Sequence, residues 1–202
     1  EIIRMTASDD NNVEVGVGPE SRTVTWNFFF TEAENQFISA GFESPQVDAR
    51  RIVERASGFE GSEFYKGLKE LATEKAVHHF DEMMQRRLNN EPLQYVCGVW
   101  GFRRLDLMVD NRVLIPRPET EIVAGIAIEE LEKNTGTARK LVADLGTGSG
   151  AIGLSIAAET EDTEIILTDI SLEALQVARA NLAGLGMLGT RVEIRQGSWF
   201  EA

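Results

Sequence analysis

The chain has 202 residues, 43% of them hydrophobic, enough to bury a core and too many for wholesale disorder. A formal net charge of −13 excludes broad attraction to nucleic acid or an anionic membrane surface. The single cysteine, Cys97, excludes an intrachain disulfide, and no run approaches a membrane span or a secretory signal, so a cytoplasmic protein is expected.

Residues 1–24 are polar and acidic without periodicity and read as a flexible leader. From 25 to 92 the pattern is helical. Phe28, Phe29, Phe30, Ala33, Phe37 and Ile38 follow helix spacing, and Gly41 is placed to stop that helix. Ser44-Pro45 opens a second helix, with Val47, Ile52, Val53 and Ala56 on its apolar side and Gly58 at its end. A third is predicted from Thr73 to Leu88, turning Ala76, Val77, Phe80, Met83, Met84 and Leu88 inward. The adjacent His78 and His79 point in different directions on a helix and cannot share a metal, so no metal site is expected.

Residues 93–115 read as a connecting hairpin, with extended runs around Gly98 and Gly101, Cys97 as an inert thiol in a strand, and Leu105, Leu107 and Val109 alternating. Pro116 and Pro118, with Glu119 and Glu121 close behind, suit a helix N-terminus, followed by apolar Ile122, Val123, Ile126, Ala127, Ile128 and Leu131. From Lys140 the order is β-α-β-α-β: strands at 141–145, 164–168 and 191–195, helices at 151–158 and 172–182. That alternation predicts an α/β fold with a parallel sheet and crossover helices over 116–202.

The strongest chemical signal is Asp144-Leu145-Gly146-Thr147-Gly148-Ser149-Gly150 at a strand-to-helix turn. Glycines at alternate positions let the backbone turn sharply and approach a ligand, and the helix start offers unpaired N–H groups. Gly146-x-Gly148-x-x-Ala151 also satisfies a dinucleotide fingerprint, which keeps an NAD-dependent oxidoreductase as an alternative. Asp144 favours S-adenosyl-L-methionine instead. A carboxylate two residues before the first glycine suits the cationic methionine end of that cofactor and would repel a pyrophosphate. Asp169, at the end of the second strand, is placed to accept hydrogen bonds from ribose hydroxyls under either reading. By spacing alone, Trp199 reads as a core aromatic.

Pro92-Leu93-Gln94-Tyr95, then Val113 to Glu121 (VLIPRPETE), then Asp144 to Gly150, then Gly197-Ser198-Trp199-Phe200 together resemble the peptide chain release factor glutamine methyltransferases over roughly residues 25–202. The resemblance implies a helical N-terminal bundle that binds a release factor, a connecting hairpin, and the first half of a class I (Rossmann-like) methyltransferase domain. It implies S-adenosyl-L-methionine as cofactor, with Gly146, Thr147, Gly148, Ser149 and Gly150 at its methionine end, Asp169 on the ribose and Trp199 on the adenine. Arg117 and Glu119 would border the active-site mouth, or else form a helix cap with a surface ion pair. The implied reaction methylates the glutamine side-chain amide in the Gly-Gly-Gln motif of bacterial class 1 release factors, by a monomer acting on neither nucleic acid nor membrane. The family's Asn-Pro-Pro-Tyr motif, which holds the substrate amide, is not found in these 202 residues, so no catalytic residue is assigned. The chain is therefore expected to be an N-terminal portion that does not transfer methyl groups alone, with a non-catalytic release-factor-binding fragment as the alternative. Its first sheet strand is expected to lack a neighbour on one side.

Overall fold

The computed structural model describes residues 24–134 and 139–202; the leader predicted over 1–24 lies outside them except for Val24. Helix α1 (Trp26–Ser39) ends where Gly41 turns the chain at φ +77°. Helix α2 (Pro45–Ser57) begins at a proline, whose missing N–H has no helical acceptor to lose at that position, and ends at left-handed Gly58, whose N–H reaches the Glu54 carbonyl. After the single turn α3 (Phe64–Gly67), α4 (Glu74–Leu88) is capped by Thr73, whose hydroxyl accepts the Ala76 N–H. These helices enclose a core of Trp26, Phe37, Ile52, Val53, Phe64, Phe80, Met83 and Met84. Each such side chain contributes about 1.5–3 kcal/mol by leaving water.

The amphipathic reading needs correction at particular positions. Phe28, Ile38 and Val47 face outward, and Trp26 is buried in their place. Buried Asp48 and half-buried Arg87 form an ion pair at 2.9 Å, with the Arg87 guanidinium stacked over Phe42.

The segment expected to be wholly a hairpin opens with a helical turn, α5 (Leu93–Cys97), ended by left-handed Gly98. Cys97 therefore closes a helix and does not sit in a strand. The hairpin itself is β1 (Val99–Phe102) antiparallel to β2 (Leu105–Met108). Its Phe102 and Leu107 pack with Ala124, Ile128, Ala151 and Leu154, joining hairpin and sheet region in one core. Arg103, in the hairpin turn, forms a two-pronged ion pair with Glu159 and donates to the Glu121 carbonyl.

Helix α6 (Pro118–Lys133) begins at the second of the two prolines, leaving Pro116 outside it, and buries only Ala124 and Ile128; Ile122, Val123 and Ile126 point outward. Strand β3 (Lys140–Leu145), helix α7 (Ala151–Glu159), strand β4 (Thr163–Asp169), helix α8 (Leu172–Gly184) and strand β5 (Val192–Gln196) follow in the predicted alternation. The sheet is parallel in the order β3-β4-β5, so among the described residues β3 is an edge, as expected. Ile165 and Leu167 of β4 are fully buried on one face, whereas Leu141 of β3 is 66% exposed on the other. No helix among the described residues is long and apolar enough to cross a membrane.

Candidate cofactor site

Two parallel strands and the loops leaving their carboxyl ends build one cleft. β3 runs into the glycine loop and β4 ends at Asp169, so the pairing of Leu145 with Thr168 brings the two segments side by side. The loop is tied down through its backbone: Gly146 and Thr147 both donate to the Thr168 carbonyl, and Gly150 donates to Thr147. Gly146, Gly148 and Gly150 have φ of +75°, +56° and +86°, a region costly for any residue with a Cβ. The tight turn thus requires these glycines.

Asp169 braces the loop from the neighbouring strand. One carboxylate oxygen accepts the Gly148 N–H and the other the Ser171 N–H, both at 2.9 Å. The cleft beside it, about 230 Å³, is lined by Leu145, Gly146, Asp169, Ile170, Gly197, Ser198 and Trp199. Trp199 is 70% exposed and held at φ +52°, so it is no core aromatic. Sequence-predicted Gly146, Asp169 and Trp199 are thereby brought together. Thr147 and Ser149 are buried residues of the loop itself, outside the lining of the cleft, and Gly150 caps α7.

Asp144 is placed differently from its expected role. It is not among the residues lining the cleft. Its Oδ2 instead accepts the Thr147 hydroxyl at 2.7 Å and the Gly153 N–H at 3.0 Å, pinning the loop to the first turn of α7. Burial pushes this carboxyl above the ordinary carboxylate range; the two hydrogen bonds oppose that, and nearby Asp169 adds to it. Arg117 is the N-cap residue of α6, and both it and Glu119 are exposed.

Two contributors, Gly153 and Asn181, were not singled out in the sequence, and a third, Tyr95, was named there only as part of the Pro92-Leu93-Gln94-Tyr95 motif. Gly153 lets α7 lie close on the sheet, since a Cβ there would come within 2.1 Å of Leu167 and 3.2 Å of Asp144 Oδ2. Tyr95 donates its hydroxyl to the Val113 carbonyl at 2.6 Å, which ties the PLQY and VLIPRPETE segments together. Asn181 reaches the loop from α8. A signal existed only for Gly153, a glycine inside a predicted helix, which is tolerated mainly for a packing or functional reason.

A larger hollow of about 360 Å³ lies between α2 and β1, lined by residues that include Arg51, Arg55, Cys97, Trp100 and Asp106. Burial pushes the Cys97 thiol up to about 11, so it stays protonated and unreactive near neutral pH. No cluster of candidate metal ligands occurs among the described residues.

Residues 29–98 match the family model of the PrmC N-terminal domain, and residues 120–202 that of the methyltransferase small domain. The release factor glutamine methyltransferase of Bifidobacterium longum is 39% identical over 155 residues, covering 75% of this chain and 52% of that protein. That of Neisseria gonorrhoeae is 38% identical over 157 residues, covering 78% and 55%. The chain is thus similar to the release factor glutamine methyltransferases over three quarters or more of its length. A further relative, from Caulobacter vibrioides, is 34% identical over 178 residues, 88% of this chain and 60% of that protein. The chain spans about half the length of the relatives it matches.

Proposed function

We propose that this chain binds S-adenosylmethionine for the methylation of the glutamine side-chain amide in the Gly-Gly-Gln motif of bacterial class 1 release factors. The observation that carries the reading is the convergence of the glycine loop, the Asp169 carboxylate and the exposed Trp199 on one cleft. These residues fit the cofactor chemically. The loop glycines leave no Cβ between backbone and ligand. Each Asp169 oxygen already takes one N–H and keeps a lone pair for a ribose hydroxyl. Trp199 offers a ring face to adenine. A dinucleotide suits the same loop poorly, because the Gly148 N–H that would meet a pyrophosphate is held by a carboxylate.

Bound S-adenosylmethionine supplies a methyl group made electrophilic by its sulfonium. The residues of this chain hold and orient it. An amide nitrogen is a poor nucleophile, so transfer also demands that the substrate amide be fixed in line, and these 202 residues contain no Asn-Pro-Pro-Tyr to fix it. The helical bundle is the surface assigned to the release factor. The test is methyl transfer from labelled S-adenosylmethionine to a release factor. The 202-residue chain is expected to give none, and a longer form carrying Asn-Pro-Pro-Tyr to give Gly-Gly-Gln methylation. Transfer by the 202 residues alone would overturn the role given to that motif, and a longer form inert toward release factor would overturn the substrate.

A further inference from the structure

Asn181, on α8, is 7% exposed and has its whole side-chain amide committed. Its Oδ1 accepts the Met108 N–H at 2.7 Å, and its Nδ2 donates to the Met108 carbonyl at 3.0 Å and the Ser149 carbonyl at 2.9 Å. Met108 closes the hairpin strand β2, and Ser149 lies inside the glycine loop, so one side chain spans segments 73 and 32 positions away. A primary amide of this length supplies one acceptor and two donors together; aspartate lacks the donors and leucine has neither.

We infer that Asn181 is a positioning residue for the cofactor loop, holding the Thr147–Gly150 turn in its binding conformation and locking it to the hairpin that carries the helical bundle. The inference rests on reading this loop as the S-adenosylmethionine site. The turn is closed by one backbone bond, Gly150 N–H to Thr147 carbonyl, and the buried Ser149 carbonyl outside that bond is held by Asn181. Without the amide, Ser149 leaves a desolvated acceptor unpaired, and the loop populates other arrangements. Apparent affinity then falls by the fraction of molecules that remain competent. Because coupling is reciprocal, cofactor bound at the loop also steadies the Met108 end of the hairpin.

The test titrates S-adenosylhomocysteine into the wild-type protein, Asn181→Leu, Asn181→Asp and a control, Val177→Ala. Val177 is a fully buried side chain on the same helix that packs in the core with Val109 and Val113. Both Asn181 variants should bind at least about tenfold more weakly, and Val177→Ala within about twofold of wild type. In parallel, amide exchange at Met108 should slow on adding S-adenosylhomocysteine to the wild type, but not to Asn181→Leu. Asn181 variants that bind no more weakly than Val177→Ala would overturn the proposal. A Met108 amide indifferent to ligand in the wild type would do so without recourse to any variant, even if the leucine substitution fails to fold. A wild-type protein that ignores S-adenosylhomocysteine altogether would instead overturn the cofactor reading beneath it.

Discussion

Gly153→Ala sets two effects against each other at the start of α7. In an exposed helix interior, replacing glycine with alanine stabilises by about 1 kcal/mol. Here the new Cβ would lie 2.1 Å from Leu167 Cδ2 and 3.2 Å from Asp144 Oδ2. Leu167 is fully buried, so it cannot swing into solvent, and relieving the clash requires the helix to lift from β4. Overpacking of this kind costs about 1–3 kcal/mol, and stretching the Asp144 to Gly153 hydrogen bond adds about 1 kcal/mol. The net is a loss of about 1–3 kcal/mol, which lowers Tm by about 2–12 °C in a chain of this size. Thermal and urea melts of the purified variant measure it. Leu167→Val in the same chain should return part of the loss, seen as coupling in a double-mutant cycle. An alanine variant as stable as the wild type, or more stable, would refute the claim that Gly153 is present for close packing.

Asp48→Ala should destabilise the helical bundle by about 1–3 kcal/mol in urea, because it leaves the half-buried Arg87 charge without its carboxylate, whereas Arg87→Met in an Asp48→Leu background should recover most of it. Asp169→Ala should weaken S-adenosylhomocysteine binding by about 100-fold in a calorimetric titration, since it removes both the proposed ribose acceptor and the brace on Gly148. Hydrogen bonding from Arg103 holds the Glu159 carboxyl below its ordinary range. The stabilisation it contributes is therefore complete above the unfolded carboxylate value and is lost as pH falls through the depressed folded value. In melts from pH 7 down to about pH 3, the gap between wild type and Glu159→Gln should narrow only below about pH 4.5. A gap that stays constant to pH 3 would count against the ion pair.

Legibility in the sequence followed the range of the cause. The ends of α1 and α2 at Gly41 and Gly58, the start of α2 at Pro45 and the cap of α4 at Thr73 are local effects, and they fall where the residues predict. The β-α-β-α-β alternation was equally plain, because each element carries its own period. The direction of a helix face was harder to read. Phe28-Phe29-Phe30 cannot all turn inward, and only the placement of the other helices selects Trp26 over Phe28. Leu93 to Cys97 was read as extended because a single apolar turn is too short to display a helical period. At the cofactor site, the glycines and Asp169 were visible as a motif, whereas Asn181 and Tyr95 act on carbonyls 73, 32 and 18 positions away, for which no spacing rule exists. Asp144 was recognised as important, but its bonds to the Thr147 hydroxyl and to the N–H of the third residue of α7 follow from the folded turn and not from any spacing rule.

The central claim is that this loop and cleft hold S-adenosylmethionine, and its most direct test is calorimetric titration of the purified protein with S-adenosylhomocysteine and with NAD. Saturable binding of one S-adenosylhomocysteine, weakened about 100-fold by Asp169→Ala and unaffected by excess NAD, is the predicted result. A folded protein that binds NAD, or that leaves S-adenosylhomocysteine unbound, would contradict the account.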